Sequence, residues 1–153
     1  MTGSVHTRSV KGGEVFFCIK SLALWVIRKS PAKDLRVRLI LKQITEKYSE
    51  VDLSTSDLAK EARLSGRQLA RLFKREIGMT PKHYLRLVRL LKAAELLNET
   101  VLSIKEIASD VGYMYVSNFD HNFLGFFRLS PSQYRDSVWQ EDLHLPVEGK
   151  NRQ

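Results

Sequence analysis

At 153 residues, with 43% hydrophobic and 27% charged content, the chain is long enough for one domain, or for two very small ones sharing an element, and too apolar for disorder throughout. Lys and Arg outnumber Asp and Glu by 25 to 17, a net charge of +8. That charge favours an anionic partner and, with no basic amphipathic helix of membrane type, nucleic acid over a membrane surface. The single cysteine, Cys18, excludes an intrachain disulfide framework and a cysteine-based zinc cluster, which fits a reducing, cytoplasmic interior.

Residues 1–33 read as an N-terminal extension of unknown function. Its first thirteen residues are small, polar and basic and predict a disordered start. The apolar stretch Val15 to Ile27 is too short to span a bilayer, carries Lys20 in its middle, and follows Gly12, Gly13 and Glu14, a poor signal-peptide opening. Val15 to Arg28 reads equally as strand or short helix. A cap on the neighbouring helices is the favoured role, and the remnant of a longer regulatory or dimerising domain is the alternative.

From Asp34 the pattern becomes helical, with Val37, Ile40, Leu41, Ile44 and Tyr48 on one buried face. A second helix opens at Ser54 or Thr55. Ser65 and Gln68 then form a capping box that starts a third, and Gly78 ends it. Residues 34–80 are thus the first helix-turn-helix unit. Thr80 and Pro81 pair as cap and first-turn residue of a long linker helix over 81–98. A second unit, 99–138, restarts at Ser103 with Glu106 as another capping box and stops at Gly112. Its next helix carries Phe119, Phe123 and Phe127, and Ser130-Pro131 starts the last one. Residues 139–153 read as a disordered tail. No strand pattern interrupts the core region, so the fold class is all-α.

The two units repeat one another. Leu53/Leu102, Ser54/Ser103, Leu58/Ile107, Ala59/Ala108 and Ala62/Val111 share one offset, while Leu69/Phe119, Phe73/Phe123, Thr80/Ser130, Pro81/Pro131 and Tyr84/Tyr134 share an offset one residue larger. A short helix, a tight turn and a second capped helix make a helix-turn-helix, whose second helix lies in the DNA major groove. With Leu69, Leu72, Phe73 and Ile77 inward, Arg67, Ala70, Arg71 and Lys74 must face outward. Arginine there offers paired donors to guanine O6 and N7, while Ala70 leaves room for close approach. A solvated basic helix face is the bland reading, which the preceding helix-turn and the repeat outweigh.

Phosphate contacts are assigned to Thr55, Lys74, Arg75, Thr80, Lys82 and Arg86, the last three from the linker helix and its free N-terminal amides. Arg89 stays open between a phosphate contact and a structural ion pair with Glu95 or another acid. Leu124 is read as a core contact beside Phe127, with an exposed apolar spot as the alternative. Gly125 inside a helix costs about 1 kcal/mol relative to alanine and predicts local looseness.

These motifs resemble the AraC/XylS family of bacterial transcription regulators, whose DNA-binding domain has two homeodomain-like helix-turn-helix units joined by a long helix. The resemblance covers about Val37 to Arg135. It rests on L-A-x-E-A-x-L-S at Leu58 to Ser65, L-x-R-L-F-K at Leu69 to Lys74, G-x-T-P-x-x-Y at Gly78 to Tyr84, and Arg89 followed by Ala93. It continues with I-x-E-I-A-x-D-V-G-Y at Ile104 to Tyr113, S-x-F at Ser117 to Phe119, and S-P-x-x-Y-R at Ser130 to Arg135. The resemblance implies base-reading positions at Arg67, Ala70 and Arg71 in the first unit and at Val116, Ser117, Asp120 and His121 in the second. The second unit departs from the family pattern. Leu124 and Gly125 stand where basic residues usually follow the phenylalanine, His121 where arginine is common, Arg128 where glycine usually ends the helix, and Met114 and Tyr115 at an unusual start. Affinity is therefore expected to come mainly from the first unit and the linker helix.

The resemblance implies double-stranded DNA as partner, and RNA polymerase as a further one if the chain is an activator; repression would come from blocking polymerase. No effector-binding or dimerisation domain is visible and no cofactor is expected, so the chain reads as a short stand-alone or truncated member that binds DNA as a monomer. The rival readings are a protein-interaction module that kept the fold and lost DNA affinity, and an enzyme. The enzyme has least support: His6, His83, His121 and His144 lack metal-ligand spacing, and Cys18 lies in an apolar run that disfavours a reactive thiolate.

Overall fold

A computed structural model describes residues 32–142 of the chain. The segment Val15 to Arg28, Cys18, the expected disordered start and the tail beyond residue 142 lie outside those residues. Among the described residues there are seven helices and no strand: α1 Leu35–Lys47, α2 Thr55–Glu61, α3 Gly66–Ile77, α4 Pro81–Glu99, α5 Ile104–Asp110, α6 Val116–Phe127 and α7 Pro131–Asp142. The expected all-α class holds. The last helix runs on to Asp142, so residues 139–142 belong to it and not to a tail.

The helix starts are fixed by side-chain caps. Asp34, Ser54, Ser65, Thr80 and Ser103 each accept a hydrogen bond from a first-turn amide that would otherwise have no intrahelical partner. The Ser65–Gln68 and Ser103–Glu106 boxes close reciprocally, and Ser130 with Gln133 makes a third that the sequence reading missed. α6 has no side-chain cap: Tyr115 stands where a cap residue would.

Both α2–α3 and α5–α6 turns use the same C-terminal motif. Arg63 and Gly112 take left-handed φ values of 54° and 86°; their amides donate to Lys60 and Ser109, and those of Leu64 and Tyr113 to Ala59 and Ala108. The duplicated sequence therefore builds a duplicated turn. Arg63 is exposed, so only its backbone is constrained. At Gly112 a Cβ would come within 2.8 Å of the Tyr48 carbonyl oxygen and 3.0 Å of that of Ser49, so the position excludes a side chain outright.

Two cores result, sharing α4. The first gathers Val37, Ile40 and Ile44 of α1, Leu58 and Ala59 of α2, Leu69 and Phe73 of α3, and Tyr84, Leu85 and Val88 of α4. Phe73 meets Tyr84 edge-on at 5.7 Å. The second gathers Leu90, Ala93, Ala94 and Leu97 of α4 with Ile107, Val111, Phe119, Phe123, Phe127, Tyr134 and Val138. Phe119, Phe123 and Phe127 recur every fourth residue along one face of α6, with Phe123 and Phe127 centroids 4.3 Å apart and Tyr134 5.4 Å from Phe123. A buried ring of this kind costs about 3–5 kcal/mol when cut back to alanine. Leu124 sits about 100° around the helix from that stripe and is 48% exposed, so the expected core contact is replaced by an exposed apolar side chain.

Candidate nucleic-acid interface

On α3 the burial of Leu69, Leu72 and Phe73 leaves Arg67, Arg71 and Lys74 exposed on the opposite face, with Ala70 half-buried between them. Burial is what orients this face, because the apolar stripe cannot turn outward without losing the first core. Neither arginine nor Lys74 makes a side-chain hydrogen bond or ion pair among the described residues, so their donors point to solvent. Arg75 is also exposed and lies 3.8 Å from Glu76, whose other carboxylate oxygen accepts from the Lys33 amide at 2.7 Å.

Three of the expected phosphate residues converge. Thr55, Lys82 and Arg86 line one open cleft of about 680 Å³ between the units, facing Tyr115, Asn118 and Asn122 from the second. Lys74, Arg75 and Thr80 are not in its lining. Thr80 spends its hydroxyl on α4, accepting from the His83 amide at 3.3 Å. Asn118 and Asn122 were missed by the sequence reading, although their four-residue spacing on α6 puts them on one face. The Asn122 amide group donates to the Asn118 carbonyl at 2.8 Å, which leaves the exposed Asn118 side chain facing the cleft.

The second unit's expected base readers do not form one face with the cleft. Val116 is half-buried and packs partly on the second core. Val116, Asp120 and His121 line a different groove, with Leu124 and Pro131. Ser117 and His121 are exposed, while partial burial raises the Asp120 carboxyl above its usual range.

Arg89 takes a structural role with backbone carbonyls in place of the expected acid, while it also lines the cleft with Lys82 and Arg86. Its Nε donates to the Tyr48 carbonyl at 2.7 Å and its Nη2 to the Glu50 carbonyl at 2.8 Å, with the guanidinium 5.8 Å from the centre of the Tyr113 ring. Tyr48 caps the C-terminal end of α1, where carbonyls lack helical partners and attract a cation. Burial draws the Arg89 guanidinium below its ordinary pKa, against the raising effect of Tyr113. Glu95 is instead bound by Lys92 at 2.8 Å, which raises the Lys92 pKa.

Charge divides along the same line as the cores. Residues 32–80 carry eleven basic and seven acidic side chains and α4 four against two, whereas residues 100–142 carry three against six. The whole chain's positive charge thus hides an acidic second unit. No helix among the described residues is long and apolar enough to cross a membrane, and no three His, Cys, Asp or Glu side chains there group as metal ligands would.

Comparison with known proteins adds a lineage to this geometry. A family described as a helix-turn-helix domain matches residues 58–137. An uncharacterised HTH-type transcriptional regulator of Haemophilus influenzae is 41% identical over 87 residues, 57% of this chain and 29% of that protein. The chain therefore spans about a third of such a relative's length. Among solved structures, the C-terminal domain of AraT, a response regulator from Geobacillus stearothermophilus, superposes with a TM-score of 0.66 at 36% identity, covering 68% of this chain and 86% of that one. A transcriptional regulator from Chromobacterium violaceum, described as containing an AraC-type DNA-binding domain, gives 0.57 at 30% identity, covering 67% and 95%. With the duplicated turn, the shared α4 and these matches in hand, the chain belongs to the AraC-type helix-turn-helix family, that of the DNA-binding domains of transcriptional regulators.

Proposed function

We propose that the chain binds double-stranded DNA sequence-specifically and so regulates transcription, as a monomer whose α3 and α6 enter successive major-groove segments about 34 Å apart. The observation that carries this reading is the exposed Arg67, Arg71 and Lys74 face, without a side-chain partner among the described residues and held outward by the burial of Leu69 and Phe73. Arg67, Ala70 and Arg71 read bases in the first segment, and Val116, Ser117, Asp120 and His121 in the second. Thr55, Lys74, Arg75, Thr80, Lys82 and Arg86 hold phosphates. RNA polymerase is the partner an activator would need. The acidic balance of residues 100–142 favours an unequal division of labour, in which the first unit and α4 supply most of the affinity. The same balance supports the second reading, a protein-interaction module of this fold with little DNA affinity.

The test is a binding titration at fixed salt, on sites selected from random DNA with this chain. Loss of one bidentate arginine–guanine pair is worth about 1–3 kcal/mol, or roughly 5- to 150-fold, so Arg71→Ala is expected to weaken binding within that range and His121→Ala by less than about threefold. Equal losses refute the unequal division. Absence of retention on heparin or nonspecific DNA at low salt refutes DNA binding and leaves the interaction module.

A further inference from the structure

The boundary between the two cores falls on one residue of α4. Val88 is the last α4 side chain in the first core and Leu90 the first in the second, with Arg89 between them. Arg89 reaches out of α4 to hold the loop after α1 by two carbonyls, those of Tyr48 and Glu50. Gly112, from the turn of the second unit, lies against the same loop so closely that a Cβ there would meet the Tyr48 and Ser49 carbonyl oxygens and the Arg89 Nη2 at 2.8 to 3.0 Å. Tyr113, the next residue, lies beside the guanidinium, and the Tyr48 side chain packs on both cores. One guanidinium therefore joins three segments that belong to different units. Two of its partners are backbone atoms of a loop, which cannot swing away as a side chain would.

We propose that Arg89, seated between the α1–α2 loop and the Gly112 turn, is a positioning residue that fixes the two helix-turn-helix units in one relative orientation and so sets the spacing between the two half-sites the chain accepts. The inference rests on the reading of α3 and α6 as two DNA-contacting helices. A single α4 shared by two separate cores leaves a bend or twist of one unit against the other resisted mainly where the loop and the turn meet. Adding one base pair between half-sites moves the second by about 3.4 Å along the axis and rotates it by about one tenth of a turn. A rigid junction cannot follow that displacement, whereas a loosened one can. Arg89 also lines the cleft beside Lys82 and Arg86, so loss of its charge weakens binding at every spacing alike, whereas its positioning role is read in the spacer penalty alone.

The experiment uses the full chain and its selected two-block site with the natural spacer, and with one base pair added or removed. The unmodified chain is expected to lose about tenfold or more in affinity when the spacer changes. Arg89→Ala, and independently Gly112→Ala, should shrink that penalty to about threefold or less, and combining them should add little because both loosen the same junction. A spacer penalty unchanged in both variants, or absent in the unmodified chain, overturns the inference while DNA binding stands. Failure of the unmodified chain to bind any DNA removes both. Because either variant can lose stability, distances between spin labels at Lys60→Cys and Lys105→Cys, in a Cys18→Ser background that keeps Arg89, supply a second measurement without DNA. These two positions are exposed, on α2 and α5. A narrow distance distribution is expected, and a broad one overturns the proposal.

Discussion

Asp34 shows how much one side chain can do at an entry point. Its carboxylate caps α1 through the Arg36 amide at 2.9 Å and pairs with the Arg36 guanidinium at 3.0 and 2.7 Å. Chiefly the side-chain hydrogen bonds from Arg36, then the backbone one, bring the carboxyl pKa from 3.8 down to about 2. Because the folded value lies below the ordinary one, the pairing stabilises the fold above pH 3.8 and fades as pH falls through about 2. Asp34→Asn keeps the cap, since asparagine serves there as well, but loses the charge. Its melting temperature should fall below that of the unmodified chain at neutral pH, with the gap closing between pH 4 and pH 2, in thermal melts followed by circular dichroism across that window. A gap that persists unchanged at the acid end refutes the assignment. Asp57 and Glu106, also held below the usual range by hydrogen bonds, titrate in both proteins and cancel.

At the level of elements, α6 is the helix whose sequence fits its role least. It lacks a side-chain cap, ends on Arg128 at φ 63° where glycine would be unstrained, and carries Gly125 in its last turns. Nothing lies within 4 Å of where a Cβ on Gly125 would stand, so Gly125→Ala should stabilise the chain by about 1 kcal/mol, raising the melting temperature by a few degrees. A lower melting temperature would show that the helix needs flexibility there. Capping signals and apolar spacing made the elements legible in the sequence: Ser65 with Gln68, Thr80 with Pro81, and Phe119, Phe123 and Phe127 act in the structure as their spacing predicts. The orientation of Arg67 and Arg71 was legible for the same reason, since a periodic core face leaves its opposite exposed. Arg89 was not, because its partners are carbonyls some forty residues away in a loop, and a backbone acceptor leaves no mark in the sequence. Arg63 was missed as the turn residue because left-handed geometry is ordinarily signalled by glycine or asparagine. Asn118 and Asn122 escaped because the cleft they face is built by both units and α4 together, from residues far apart in the sequence.

For the molecule as a whole, the uneven charge makes a quantitative claim about salt. The cations assigned to phosphates are Lys74, Arg75, Lys82 and Arg86, all from α3 and α4, while residues 100–142 carry an excess of acid. Each phosphate neutralised on duplex DNA contributes about −0.9 to the slope of log affinity against log salt, so four contacts give about −3.6. The Arg75 pairing with Glu76, long and solvent-exposed on the arginine side, costs little to break and does not remove Arg75 from this set. Lys82 lies in the cleft beside Thr55 and Arg86, and Lys82→Ala should flatten the slope by about 0.9 while weakening all sites alike. Lys105, exposed at the start of α5 in the acidic unit, is the matched control, and Lys105→Ala should leave the slope within about 0.3 of its starting value. Titrations from low to physiological salt on one selected site measure both. If Lys105→Ala flattens the slope as much as Lys82→Ala, phosphate attraction is shared between the units, and the acidic balance of the second does not weaken its hold on the duplex.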